Sequence, residues 1–153
     1  PIERFARLCN KLIEKGYYVI LVGARSEEAY VRNQLLSRMK HHPIVTVGRT
    51  TIKQLAAMMK QFDVFITSDA GPLHVALSMG TPTIALFGPG NPKCYGPLDR
   101  KSILLYKKPK CGPCNDGFKG YIKKCKEKTC MKSITVEDVL YAVKSILKIE
   151  DNL

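Results

Sequence analysis

Apolar runs of strand length alternate with apolar residues at helical spacing along most of this chain, and few folds accept such a sequence. Tyr17–Val22 is a continuous apolar run, and Ile44–Val47, Val64–Thr67, Thr83–Phe87 and Ser102–Tyr106 read as four further strands. Between them, Ile2, Phe5, Leu8, Leu12 and Ile13 fall at helical spacing and stop at Gly16. Ser26 is placed to cap a second helix with a looser apolar face of Ala29, Val31, Leu35, Leu36 and Met39. Thr51 and Gln54 form a capping-box pattern for a third helix that ends near Gln61, and Pro72–Met79 reads as a short helix closed by Gly80. Thr135 with Asp138 starts a last helix over 134–149. Strands that are apolar throughout are covered on both faces. Alternation with helices therefore predicts an α/β fold, a parallel sheet with helices on both faces. The loops after Val22, Val47, Thr67 and Phe87 are expected to line one rim, where such sheets bind ligands.

The 153 residues suffice for one domain with its own core, so 1–153 is read as a single unit. The chain starts at Pro1 without Met or a basic-then-apolar leader, and we expect it to be part of a longer protein. No apolar run approaches the ~20 residues of a membrane-spanning helix. The net charge is +12, and Arg100–Lys132 carries eleven basic residues against Asp116 and Glu127. Such a segment is either a solvated lysine-rich loop or a surface for phosphate-bearing ligands or anionic membrane. It lacks interleaved aromatics and helical periodicity of its basic residues, so no nucleic-acid partner is expected.

Thr67-Ser68-Asp69-Ala70-Gly71-Pro72-Leu73-His74 leaves a strand, turns tightly and enters a helix with Pro72 in its first turn. The amides of such a turn carry the positive end of the helix dipole and suit a diphosphate. Gly71 permits close approach, His74 lies one turn inside, and Asp69 suits sugar hydroxyls beyond the phosphates. The plainer alternative makes Asp69 a helix cap and His74 a satisfied buried imidazole. A second glycine loop, Gly88-Pro89-Gly90, follows the next strand, and Glu27 and Glu28 follow the first, where a carboxylate can bind ribose hydroxyls. Gly23-Ala24-Arg25-Ser26 has only one glycine, which argues against a dinucleotide fingerprint.

Ser68-Asp69-Ala70-Gly71-Pro72-Leu73-His74-Val75-Ala76, followed by Gly80-Thr81-Pro82-Thr83-Ile84-Ala85-Leu86-Phe87-Gly88-Pro89, resembles glycosyltransferase family 9, the bacterial heptosyltransferases of the lipopolysaccharide inner core. Pro1-Ile2-Glu3-Arg4-Phe5 resembles the start of that family's C-terminal half, and Val22–Glu27 its first donor-side loop. The resemblance implies the Rossmann-like C-terminal half of a GT-B glycosyltransferase, with the N-terminal acceptor domain absent from this chain. It implies an inverting, metal-independent enzyme that needs no cofactor. An ADP-sugar, typically ADP-heptose, is the implied donor, lipopolysaccharide core the acceptor, and the cytoplasmic side of the inner membrane the peripheral location. Carried over position by position, Asp69 contacts the sugar, Ala70, Gly71 and His74 match the diphosphate turn, and Ser68 counts among the donor-binding residues. Glu27 matches the ribose carboxylate and Thr50 a position near the adenine. Ala70 replaces a common Thr, so only its backbone amide remains. No catalytic base is assigned, since the family carries it in the other half.

Cys111-Gly-Pro-Cys114 and Cys125-Lys-Glu-Lys-Thr-Cys130 lie within the lysine-rich loop 107–133, while Cys9 and Cys94 lie outside it. The spacing admits a structural zinc, disulfide pairing or free thiols. A second functional reading follows, a non-enzymatic anion- or nucleotide-binding module whose cysteines hold zinc.

Overall fold

The computed structural model describes residues 1–114, 125 and 127–148. The chain divides into two compact units, Pro1–Leu55 and Ala56–Leu153.

In the first unit, α1 (Ile2–Glu14) buries Ala6, Leu8, Cys9, Asn10 and Leu12, and Gly16 follows it with φ +86°. Asn10 is polar yet buried, because its Oδ1 accepts the backbone N–H groups of Lys40 (3.0 Å) and His41 (3.1 Å). Strand β1 is Ile20–Leu21 and β2 is Ile44–Val45; they pair in parallel, Ile20 opposite Ile44 and Leu21 opposite Val45. Single backbone bonds carry the pairing further: Ile44 donates to Val19 (2.8 Å), Thr46 to Leu21 (2.9 Å) and Gly48 to Gly23 (3.0 Å).

Two expectations are corrected here. The apolar run from Tyr17 is not a strand covered along its whole length: pairing begins at Val19, and Tyr18 is 91% exposed. Its phenol lets it face water at little cost. The second helix is a segment over 25–38, α2, whose winding changes along its length. It runs from a 3-10 turn (Arg25–Glu27) through an α turn (Glu28–Tyr30) and a wider π turn (Val31–Leu35) to a closing 3-10 turn (Leu36–Arg38). Within the segment only Leu35 is buried. Its cap position is Ala24, not Ser26.

Helix α3 (Ile52–Met59) opens with the expected capping box: Thr51 Oγ1 accepts the Gln54 N–H (3.3 Å), and Gln54 Oε1 accepts the Thr51 N–H (2.8 Å). The second unit continues with β3 (Phe65–Ser68), α4 (Gly71–Ser78), β4 (Thr83–Phe87), α5 (Pro92–Tyr95), β5 (Ile103–Tyr106), α6 (Thr129–Lys132) and α7 (Val136–Leu147). Its sheet is parallel in the order β3-β4-β5, with Phe65 opposite Thr83 and Ile84 opposite Ile103.

All five residues of β4 are buried, which fits a central strand covered on both faces. Leu73 of α4 packs with Ala85 and Phe87 on one of those faces, and Leu77, Tyr95 and Tyr106 close around them. The buried hydroxyls next to β4 are satisfied, Thr81 donating to the Met59 carbonyl (2.7 Å) and Thr83 to that of Thr81 (2.8 Å). Helix α7 packs on β4 and β5 and is capped reciprocally by Thr135 and Asp138. Two short helices, α5 and α6, lie where the sequence shows no periodicity; Asn91 caps the first by accepting the Lys93 N–H (3.0 Å).

The strand pairing divides the expected rim. The loops after β1 and β2 belong to the first unit, and those after β3, β4 and β5 to the second.

Candidate functional site

Parallel strands end at the same edge of their sheet, so the residues after β3, β4 and β5 meet there. The turn after β3 is Asp69-Ala70, and α4 starts at Gly71 with Pro72 in its first turn. Ala70 occupies the cap position in an extended conformation (φ −155°, ψ 168°) and makes no side-chain cap bond. Asp69 therefore does not cap this helix, and the plainer sequence alternative fails on that point. It fails on His74 too, whose imidazole is exposed. A Cβ on Gly71 would touch no protein atom within 4 Å, so the backbone there is open to a ligand.

The Asp69 carboxylate turns toward the second glycine loop. A Cβ built on Gly90 would collide with Asp69 Oδ2, so this carboxylate occupies the space beside a residue that must lack a side chain. Burial pushes the Asp69 carboxyl above its ordinary value, and the neighbouring His74 pulls it partly back. The turn thus joins an uncapped helix start, an imidazole and a partly desolvated carboxylate. Such an arrangement can hold an anion at the backbone and hydroxyl groups at Asp69.

Gly88 has another surrounding. A Cβ there would stand 2.7 Å from Met131 Sδ and 3.4 Å from Cys130 Sγ, so α6 covers it. The Cys114 N–H also donates to the Pro89 carbonyl (2.9 Å). The cysteine-bearing segment is therefore seated on the second glycine loop, a relationship the sequence does not announce.

In the first unit, Glu27 and Thr50 follow β1 and β2, whose end loops are joined by the Gly48–Gly23 bond. Glu27 is exposed, and its Oε2 accepts the Ala24 N–H (2.8 Å) and lies over Gly23, the reach-back of a carboxylate at the start of a helical turn. Thr50 is half-buried, between the Gly48 turn and the Thr51 cap.

Among the described residues, no three His, Cys, Asp or Glu side chains stand together as a metal site, and Cys111, Cys114, Cys125 and Cys130 form no disulfide. Their sulfurs are engaged locally: Cys130 against Gly88, Cys114 on the Cys111 carbonyl (3.5 Å), and Cys125 accepting the Lys128 N–H (3.3 Å). Of the eight lysines at 107, 108, 110, 119, 123, 124, 126 and 128, the middle four lie outside the described residues. No described helix is long and apolar enough to cross a membrane.

The parallel strands and the glycine-bearing loops at their ends define a Rossmann-like α/β protein. Comparison with known sequences makes the class specific: the pattern of glycosyltransferase family 9 (heptosyltransferase) matches residues 1–123, and the chain belongs to that family. It is 29% identical over 128 residues to lipopolysaccharide heptosyltransferase 2 of Escherichia coli, a match covering 77% of this chain and 36% of that protein. With lipooligosaccharide heptosyltransferase 2 of Campylobacter jejuni it shares 29% over 140 residues, 88% of this chain and 42% of the relative. Among solved structures, a family 9 glycosyl transferase from Veillonella parvula superposes with a TM-score of 0.83 at 31% identity, covering 98% of this chain and 42% of that one. The E. coli ADP-heptose lps heptosyltransferase II superposes with a TM-score of 0.79 at 25% identity, covering 97% of this chain and 41% of that one. The chain thus spans between about a third and two fifths of the length of these relatives.

Proposed function

We propose that this chain is the donor-binding part of a heptosyltransferase that takes a heptose, or a related sugar, from an ADP-sugar to the lipopolysaccharide core. The observation that carries the reading is the turn Asp69–His74: its helix starts without a side-chain cap, its glycine is open, and its carboxylate faces the second glycine loop. In this reading the amides of Ala70 and Gly71, with His74, take the diphosphate, and Ser68 stands beside them at the end of β3. Asp69 takes the sugar hydroxyls, and Gly90 gives that carboxylate room. Glu27 takes the ribose and Thr50 lies by the adenine.

Transfer is inverting and metal-independent. The leaving diphosphate is stabilised by helix amides and imidazole, which do here what a divalent cation does elsewhere. Deprotonating the acceptor hydroxyl needs a base placed on the acceptor side. Asp69 faces the donor and is not that base, so the 153-residue chain alone binds donor and transfers nothing. The enzyme works on the cytoplasmic side of the inner membrane, where its lysine-rich segment is attracted to anionic lipid by up to ~1 kcal/mol per lysine in contact.

Calorimetry with ADP and ADP-heptose in chelator-treated buffer tests the reading. Both are expected to bind. Asp69→Ala should weaken ADP-heptose roughly tenfold, about 1.4 kcal/mol, and leave ADP nearly unchanged. Absence of binding by either nucleotide, or an equal loss for both in the variant, would refute the assignment.

A further inference from the structure

Where the chain leaves β5 it borders a cleft of about 600 Å³, lined on one side by Lys107, Lys108 and Lys110 and on the other by Thr129 and Ser133. Among the described residues, no acidic side chain lines it. Lys107 is engaged, its Nζ 2.8 Å from Asp138 Oδ1. Lys108 and Lys110 are exposed and have no carboxylate partner among the described residues. The Ser133 hydroxyl donates to the Thr129 carbonyl (2.8 Å), so its proton is used locally, whereas the Thr129 hydroxyl has no hydrogen-bond partner among the described residues. Among the described residues, the cleft therefore offers two ammonium groups without a carboxylate partner and a hydroxyl donor, and its lining carries no negative charge.

Its position gives that charge a meaning. β5 is parallel to β4, so the cleft opens at the same sheet edge as the two glycine loops. The Cys114–Pro89 bond and the seating of Met131 on Gly88 bind its walls to the loop after β4. In the strand order, β4 and its loop lie between it and the Asp69 turn. Its volume lies in the range of small-molecule pockets, large enough for a monosaccharide with a phosphate. Lysines read phosphate as point charges, without the planar fork that arginine would impose.

We infer that this cleft is an anion subsite, separate from the donor turn, that takes a phosphate ester carried on a saccharide. On the transfer reading above, that saccharide is the acceptor, and only this last step rests on it. The tests use the 153-residue chain with glucose 6-phosphate, inorganic phosphate and ADP as probes. Amide chemical-shift titration should give saturable, salt-sensitive binding of glucose 6-phosphate, with shifts at Lys108, Lys110 and Thr129. Lys108→Gln with Lys110→Gln should weaken it at least fivefold and leave ADP affinity and the melting curve unchanged. Inorganic phosphate should compete with the sugar ester.

Three results overturn the inference. The double variant can bind the ester as the parent does, or it can lose ADP as well, which would merge the cleft with the donor site. The parent can also pellet with phosphatidylglycerol vesicles through these lysines while ignoring glucose 6-phosphate, which would make the cleft a lipid-surface contact. Failure of ADP to bind, with lysine-dependent ester binding intact, would sink the donor reading and leave the cleft standing.

Discussion

The carboxylate of Asp69 fills the space that any side chain on Gly90 would need. Two loops that follow different strands are thereby coupled through one acid and one missing Cβ. Gly90→Ala must push the carboxylate aside. The displaced atoms are the far end of a rotatable side chain, so the stability cost should stay at the low end of the ~1–3 kcal/mol typical of overpacking. The cost to sugar-nucleotide affinity should be larger, roughly tenfold, matching Asp69→Ala. The two changes should not add: the double variant should bind no worse than either single one. Additive losses in a calorimetric cycle would show that the two residues act separately.

Asp69 also makes a prediction in the absence of ligand. Burial raises its carboxyl above the unfolded value of ~3.9, with His74 opposing only in part. The folded state therefore binds this proton more tightly than the unfolded one. The charged carboxylate costs stability as pH rises through the folded value, and the cost persists at neutral pH. Asp69→Asn should raise Tm slightly at pH 7 and make no difference well below pH ~4, where the acid is neutral in both states. Thermal melts at the two pH values check this. A Tm drop at pH 7 would mean that the carboxylate is held by a favourable partner.

Gly88 carries a packing role beside any role in binding. Its missing side chain admits Met131, with Sδ 2.7 Å and Cγ 2.9 Å from where a Cβ would stand. Gly88→Ala should destabilise the chain by ~1–3 kcal/mol through overpacking. Met131→Ala in the same chain should recover most of that loss, as denaturant midpoints would report. Equal midpoints for the single and double variants would show that α6 does not rest on this glycine.

How far the sequence revealed these relationships depends on their range. Thr83–Phe87 was readable residue for residue, because a buried central strand is apolar without interruption. The boxes Thr51–Gln54 and Thr135–Asp138 were readable as well, since capping acts over three residues. The Asp69–His74 turn was visible for the same local reason, with Pro72 and Gly71 marking it. What could not be read is long-range. Asn10 looks like a polar error in an apolar face until its two backbone donors arrive from Lys40 and His41. The division of the strands into β1-β2 and β3-β4-β5 is a matter of pairing, which periodicity does not encode. The cysteine spacing left zinc, disulfide and free thiols open, and it could not anticipate that Cys114 bonds the Cys111 carbonyl, that Cys125 accepts the Lys128 amide, or that Cys130 lies by Gly88.

The last prediction concerns Asp138, which joins the start of α7 to the rim. Its Oδ1 lies 2.8 Å from Lys107 Nζ and its Oδ2 accepts the Thr135 N–H at 2.8 Å. The Lys107 hydrogen bond, followed by the Thr135 amide, holds its carboxyl below the ordinary carboxylate value. A depressed folded value means that stability is fully present above the unfolded ~3.9 and is lost as pH falls through the folded value. Both partners are partly exposed, so solvent screening reduces what the ion pair adds to stability. Asp138→Ala, which removes the acceptor of the Thr135 N–H and the Lys107 partner together, should cost about 1 kcal/mol at pH 7, with the gap to the parent narrowing in strong acid. Lys107→Gln, which spares the cap, should cost less than half as much and should lose its effect in high salt. Urea unfolding at pH 7 and pH 3, with and without 1 M salt, separates the two contributions; if the lysine variant costs as much as the alanine variant, the ion pair rather than the cap holds α7 in place.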